Sequence, residues 1–172
     1  MRMTLKLAAG AIGAAMISSG AMAADIPVVA APPPVVVPAP AFDWAGPYVG
    51  AMGGWMVGVV DVAAQGGINF VNGNMVYGVE ARAGTAVFPG FAFAATVSGR
   101  AGILINPDLL LYGAAGLGFV PAGPELFFSV GGGAEKAIGS NLSLFIEARA
   151  LGVFDSFACC GLSIQGGINW HL

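Results

Sequence analysis

The sequence predicts an all-β fold, an eight-stranded antiparallel up-and-down transmembrane β-barrel preceded by a cleaved signal helix and a Pro-rich linker. Three observations lead there. The 172-residue chain is 57% hydrophobic and only 9% charged, with a mean hydropathy of +0.83, too apolar for an ordinary soluble domain. Charges or Gly and amide residues interrupt every long apolar window, so membrane-spanning helices fit badly. From Tyr48 onward the side chains instead alternate with a period of two, every second one facing lipid and its neighbours a sealed interior.

Residues 1–23 form the targeting segment. Arg2 and Lys6 open it, Leu7 to Ile17 supply a short apolar run, and Ala21-Met22-Ala23 gives an A-x-A cleavage pattern, placing the cut between Ala23 and Ala24. The run is too short to cross roughly 30 Å of hydrocarbon as a helix, and no Cys follows the cleavage point to take a lipid. Cleavage leaves four basic residues against nine acidic, a net charge of −5.

Residues 24–41, ADIPVVAAPPPVVVPAPA, hold six of the eleven prolines and no Gly. Proline fixes φ and removes a backbone donor, so this stretch reads as an extended polyproline II spacer. A ligand for a Pro-binding groove is the competing reading.

Residues 42–172 form the barrel. Of the 28 glycines, 25 follow the signal segment, and each costs about 1 kcal/mol inside a helix relative to Ala. The alternation is clearest at the end, where Leu162, Ile164, Ile168, Trp170 and Leu172 share one phase and Ser163, Gln165, Asn169 and His171 the other. Leu142, Leu144 and Ile146 likewise oppose Ser143, Glu147 and Arg149; Tyr77 and Val79 oppose Glu80 and Arg82; Val97 and Ile103 oppose Ser98 and Arg100. Leu111 and Leu117 oppose Tyr112 and Gly116, and Phe128 and Val130 oppose Ser129 and Glu135. Strands are expected at 47–59, 65–71, 75–87, 91–105, 109–120, 126–137, 142–154 and 161–172, the second being the shortest. That leaves about 16 residues per strand and connection, against the roughly 9 to 11 a tilted strand needs to cross the hydrocarbon. Such strands survive in lipid only if they close, because an open edge leaves amides unpaired.

Alternate connections are tight-turn formers: Asn72-Gly73-Asn74, Asn106-Pro107-Asp108 and Gly139-Ser140-Asn141. They suit the periplasmic side, which puts both termini there. The intervening loops, near Asp61, Pro89, 121–125 and 155–160, then face outwards.

Nucleic acid is excluded as a partner, since 6 Lys and Arg against 9 Asp and Glu leave no basic patch for phosphates. No phosphate loop, metal-ligand cluster or dinucleotide fingerprint is present, and no cofactor is expected. Enzymatic activity is not expected either. His171, the one His, sits at the penultimate position with no acidic or Ser partner near it in sequence, and reads as filling the lumen rim.

The run Trp44-Ala-Gly-Pro-Tyr48-Val-Gly50 resembles the W-x-G-x-Y-x-G opening of small bacterial outer-membrane barrels, closest to the alphaproteobacterial surface-antigen and opacity-like porin family. Segments beginning at Val76, Ala95, Leu111 and Leu142 resemble its successive strands, and the likeness covers about residues 24–172. The resemblance implies the outer membrane of a Gram-negative cell, with outer-membrane lipid and the export and barrel-assembly machinery as partners. It assigns Trp170 and Leu172 to the C-terminal assembly signal, although the family usually ends in an aromatic residue and this chain ends in Leu172.

On this phasing Glu80, Arg82, Arg100, Glu135, Glu147 and Arg149 point inwards, three acids against three bases. An eight-stranded bore is just wide enough for side chains to fill it, so these six are expected to knit into ion pairs and plug it. Arg100 is expected diagonal to Glu80, with Tyr112 approaching Arg100 and then Glu135. The implied role is structural, contributing to envelope integrity and presenting short surface loops. A narrow porin-like channel and a haem- or host-ligand-binding surface protein are the alternatives. Cys159 and Cys160, adjacent in the outermost loop, could close a vicinal disulfide, pair between molecules or touch a ligand such as haem; their spacing excludes a CxxC metal pair.

Overall fold

The computed structural model describes residues 42–172 apart from 57, 89, 122–125 and 155–158. The expected signal segment, its cleavage pair Ala23 and Ala24, and the linker 24–41 lie outside the described residues, as do the side chains of Cys159 and Cys160.

Eight strands follow in chain order: β1 Gly46–Met56, β2 Val59–Asn72, β3 Met75–Phe88, β4 Ala92–Asn106, β5 Leu109–Phe119, β6 Leu126–Ala137, β7 Leu142–Val153 and β8 Cys159–His171. Each pairs antiparallel with the next, and β1 pairs with β8 from Tyr48 opposite His171 to Met56 opposite Ser163, so the barrel is closed. Closure gives every strand a partner on both edges, which is what an apolar surrounding demands of a sheet.

The second strand is longer than its expected 65–71. A reversal at Gly58, whose φ of 84° costs Gly little, ends β1 at Met56 and starts β2 at Val59. Asp61 is therefore a strand residue opposite Gly54 and Ala86, not part of a loop. Similarly, Cys159 opens β8 opposite Gly152.

The three tight turns lie at the end of the barrel where β1 begins and β8 finishes. Gly73 adopts φ 63°, and Asn106 Oδ1 accepts the Asp108 amide at 2.9 Å. The Trp44 indole donates to the Pro107 carbonyl at 2.9 Å, the His171 amide to Asn141 at 2.8 Å and the Leu172 amide to Pro47 at 3.0 Å.

The alternation sorts the two faces. Val49, Val79, Val97, Leu117, Val130, Leu144, Ile146 and Ile164 project outwards, Val97 with 64% of its surface exposed. Aromatic side chains mark both ends of this apolar belt: Phe70, Tyr77 and Trp170 near the tight turns, Trp55 and Phe119 towards the opposite end. Phe70 and Tyr77 stack across β2 and β3 at 5.6 Å. Tyr48 itself belongs to the inward set and is 1% exposed.

Glycines on the inward face make room for its large side chains. A Cβ at Gly67 would stand 2.7 Å from the Tyr48 hydroxyl oxygen, and one at Gly102 would stand 2.7 Å from the Tyr112 Cβ. The narrow, Gly-rich polar phase of the sequence is thus a packing requirement of a small bore.

Candidate functional site

The bore is filled in layers. At the tight-turn end, the residues preceding β1 fold in: Phe42 and Trp44 pack with Val76, Leu110, Tyr112 and Ala114 in an apolar floor. Phe42 meets Trp44 edge-on at 4.7 Å, and the His171 ring lies against Phe42 at 4.7 Å and stacks on Tyr48 at 5.5 Å.

Above the floor all six charged residues expected in the lumen are buried and in mutual contact. Two clusters share Glu80. In one, Glu80 Oε1 meets Arg82 Nη2 at 2.8 Å and Arg149 Nη2 at 2.6 Å. Glu147 bridges the same two arginines, through a close contact with Arg82 Nη1 and at 2.9 Å from Arg149 Nε. In the other, Arg100 Nη2 donates to Glu135 at 2.6 Å, while its Nη1 donates to the Tyr48 hydroxyl at 3.2 Å and lies 3.9 Å from Glu80. Arg100 also lies over the Tyr112 ring, 4.5 Å from its centre. The Tyr112 hydroxyl donates to Glu147 at 3.1 Å, where the sequence suggested Glu135. Alternation fixes which face a side chain takes, but the barrel's stagger decides which carboxylate it reaches.

Neutral groups complete the network, and sequence reasoning assigned them no role. Tyr48 donates to Glu80 at 3.0 Å, and Arg149 to Ser98 at 2.9 Å. Glu135 accepts from Ser143 at 2.5 Å and Asn169 at 2.8 Å, and Gln65 donates to Asn169 at 2.6 Å. The signal was available: Ser98, Ser143 and Asn169 occupy the same phase as the six charges. Charges taken out of water this far are tolerable only with their remaining hydrogen-bonding sites filled, and these groups fill most of them.

His171 does have acidic and Ser partners in space. Its Nε2 lies 3.3 Å from Ser143 Oγ and 3.5 Å from Glu135 Oε1, both contributed by strands remote in sequence. The constellation is not that of an activated nucleophile. Ser143 is fully buried and its hydroxyl hydrogen goes to Glu135, so it is neither deprotonated by His171 nor open to a substrate. Among the described residues no group of three or more His, Cys, Asp or Glu is arranged to hold a metal.

Towards the opposite mouth the bore opens into a cavity of about 250 Å³. Met52, Met56, Val59, Phe127 and Leu151 line its apolar wall, and Arg82, Thr96 and Gln165 lie among its polar lining. Asp61 adds a fourth acid to the lumen, accepting from Gln165 Nε2 at 2.7 Å with Oδ2. Trp170 and Leu172 both face outwards at the tight-turn end.

No protein family and no curated protein matches the sequence. Solved structures match the fold. A de novo designed transmembrane β-barrel superposes with a TM-score of 0.57 and 19% identity, covering 74% of this chain and 96% of that one. The N-terminal β-barrel domain of Pseudomonas aeruginosa OprF gives 0.59 and 11% identity, over 74% and 98%. The solution structure of the designed barrel TMB2.3 gives 0.54 and 15%, over 74% and 94%. The chain is similar to these in its closed eight-stranded architecture.

Proposed function

We propose that this chain is a structural outer-membrane β-barrel with a closed bore, contributing to envelope integrity and presenting short loops outside. The observation that carries this reading is the combination of a lipid-suited exterior with a lumen filled by side chains. The apolar belt between two sets of aromatic side chains is the pattern of a barrel wall in hydrocarbon. Inside, the Glu and Arg network and the Phe42 and Trp44 floor occupy the path an ion would take.

The finer assignments belong to the same proposal. The chain is exported on residues 1–23 with cleavage between Ala23 and Ala24, and residues 24–41 form a spacer on the periplasmic side with both termini. Trp170 and Leu172 are presented to the assembly machinery. The alphaproteobacterial surface-antigen and opacity-like family is the relationship supported by the Trp44 to Gly50 motif. Cys159 and Cys160 are oxidised after export; intact mass with and without reductant decides between a bridge and free thiols.

Planar-bilayer recording tests the closed bore. The folded barrel is expected to give no discrete conductance, and reproducible unitary steps would replace this reading with that of a narrow channel. Heat-modifiable migration in detergent gels tests closure itself, since a boiled and an unboiled sample running together would contradict a stable barrel. A haem- or host-ligand-receptor role requires saturable binding that is lost on changing Cys159 and Cys160.

A further inference from the structure

The inward phase changes character along the bore. Towards the tight turns it carries Tyr48, Asn69, Glu80, Arg100, Glu135 and Glu147, all buried and mostly polar. Towards the loop-end mouth the same phase carries Met52, Met56, Val59, Phe127 and Leu151, which line the cavity of about 250 Å³. A barrel interior that meets water is ordinarily polar, and a narrow one is ordinarily filled by its own side chains. This end of the lumen is neither. Its wall is apolar, and Ala86, Ala92 and Ala94 keep room on one side that larger residues would take up.

The polar groups bordering the chamber are committed to one another. Glu80 and Glu147 each hold both Arg82 and Arg149. Asp61 accepts from Gln165 at 2.7 Å and from its own backbone amide, and is drawn to Arg82. Asp61 Oδ1, Thr96 Oγ1 and the Nε atoms of Arg82 and Arg149 have almost no accessible surface, so nothing in the chamber reaches them. A charged guest would lose its hydration there and gain no free partner, a cost that an uncharged apolar guest does not meet. Water is poorly served too, since each molecule needs about two to four polar partners.

We propose that this cavity binds a small uncharged apolar molecule, of one or two rings, entering from the loop end. An apolar cavity of roughly 150 Å³ suffices to hold benzene, so about 250 Å³ takes a substituted ring or a fused pair. Met52, Met56, Phe127 and Leu151 supply the contact surface. The two methionines suit the role, since an unbranched thioether adapts its shape to what it covers and packs well against aromatic rings. The chamber lies inside the ring of strands, lined from Met52 of β1 through Ala94 of β4 to Leu151 of β7 and Ser163 of β8. Its guest is therefore a free molecule, because a membrane lipid could insert a tail only by drawing its headgroup over the rim. The inference rests on the chain folding as a lipid-embedded barrel, but not on whether that barrel conducts.

The test uses the folded protein in phosphatidylcholine nanodiscs with methyl-labelled methionine. Toluene, benzylammonium and benzoate, three probes of like size, are titrated, and Met75 on the outer face reports probe dissolved in the bilayer. Toluene is expected to shift the Met52 and Met56 methyl resonances saturably while Met75 follows probe concentration linearly. The two ions are expected to bind roughly tenfold more weakly or worse, since the chamber offers their charge no partner. Ala94→Leu and Ala86→Leu each place a larger side chain in the chamber and are expected to abolish the saturable shift. Shifts at Met52 and Met56 that merely track Met75, an ion that binds as tightly as toluene, or an undiminished toluene shift in a folded Leu variant would each overturn the proposal. So would nuclear Overhauser contacts from Met52 and Met56 to lipid chains in the probe-free sample, which would give the cavity to a membrane lipid. The wild-type titration decides the matter should neither variant fold. Heat-modifiable mobility of every sample separates these outcomes from failure of the barrel itself.

Discussion

Glu135 is the residue whose alteration the network should tolerate least. It is fully buried, and its two oxygens serve different partners: Oε2 takes Arg100 at 2.6 Å, and Oε1 takes Ser143 at 2.5 Å and Asn169 at 2.8 Å. Glu135→Gln keeps the shape and removes the charge. An amide presents one acceptor and one donor edge, so either its NH₂ faces the Arg100 guanidinium or it faces the Asn169 amide. Both arrangements set donor against donor. Arg100 would keep Tyr48 at 3.2 Å and Glu80 at 3.9 Å, which places the cost towards the lower end of the about 3 to 5 kcal/mol for breaking a buried ion pair. Urea titration in phosphatidylcholine vesicles, read from folded and unfolded gel bands, measures it. Adding Arg100→Met should then cost little more or restore stability, because the orphaned cation is gone. A loss below about 1 kcal/mol for Glu135→Gln, or full additivity of the two changes, would refute the claim that this pair is a desolvated unit.

The outer face makes a separate prediction: Ile146→Arg, Val79→Arg or Val97→Arg should each cost about 2 to 4 kcal/mol in the same titration if the site lies near the bilayer midplane, and no loss would mean that the face does not meet lipid. Gly67→Ala pushes a methyl against the Tyr48 hydroxyl and the Val79 carbonyl, and should lower stability by about 1 to 3 kcal/mol. Trp44→Ala removes an indole that is 3% exposed together with its bond to Pro107, and should cost about 3 to 5 kcal/mol. The Trp44→Ala barrel should still pass no current in a planar bilayer, because Arg100 and Glu135 close the bore above the floor; unitary steps in that variant would show that the floor alone is the seal.

The strand faces were legible because lipid and lumen impose opposite demands on neighbouring residues, and Leu144 to Arg149 satisfy those demands one position at a time. The second strand was legible by the same rule: Asp61, Gln65 and Asn69 oppose Val60, Val62, Ile68 and Phe70. A charge at position 61 resembles loop sequence, yet the Gly58 reversal ends β1 at Met56 and leaves Asp61 inside β2. What alternation cannot supply is partner choice. Tyr112 points inwards in any register, but meeting Glu147 at 3.1 Å depends on the stagger accumulated across β5, β6 and β7. The contact of His171 with Ser143 and Glu135 likewise exists only because β8 closes the sheet and brings its end beside β7. Phe42 and Trp44 show the same limit from another side, since nothing in a period of two says that residues ahead of the first strand will turn back into the bore. Faces follow from local sequence and partners follow from closure, so a substitution that keeps the alternation but shifts the β1 and β8 register should leave the belt intact and unmake the lumen.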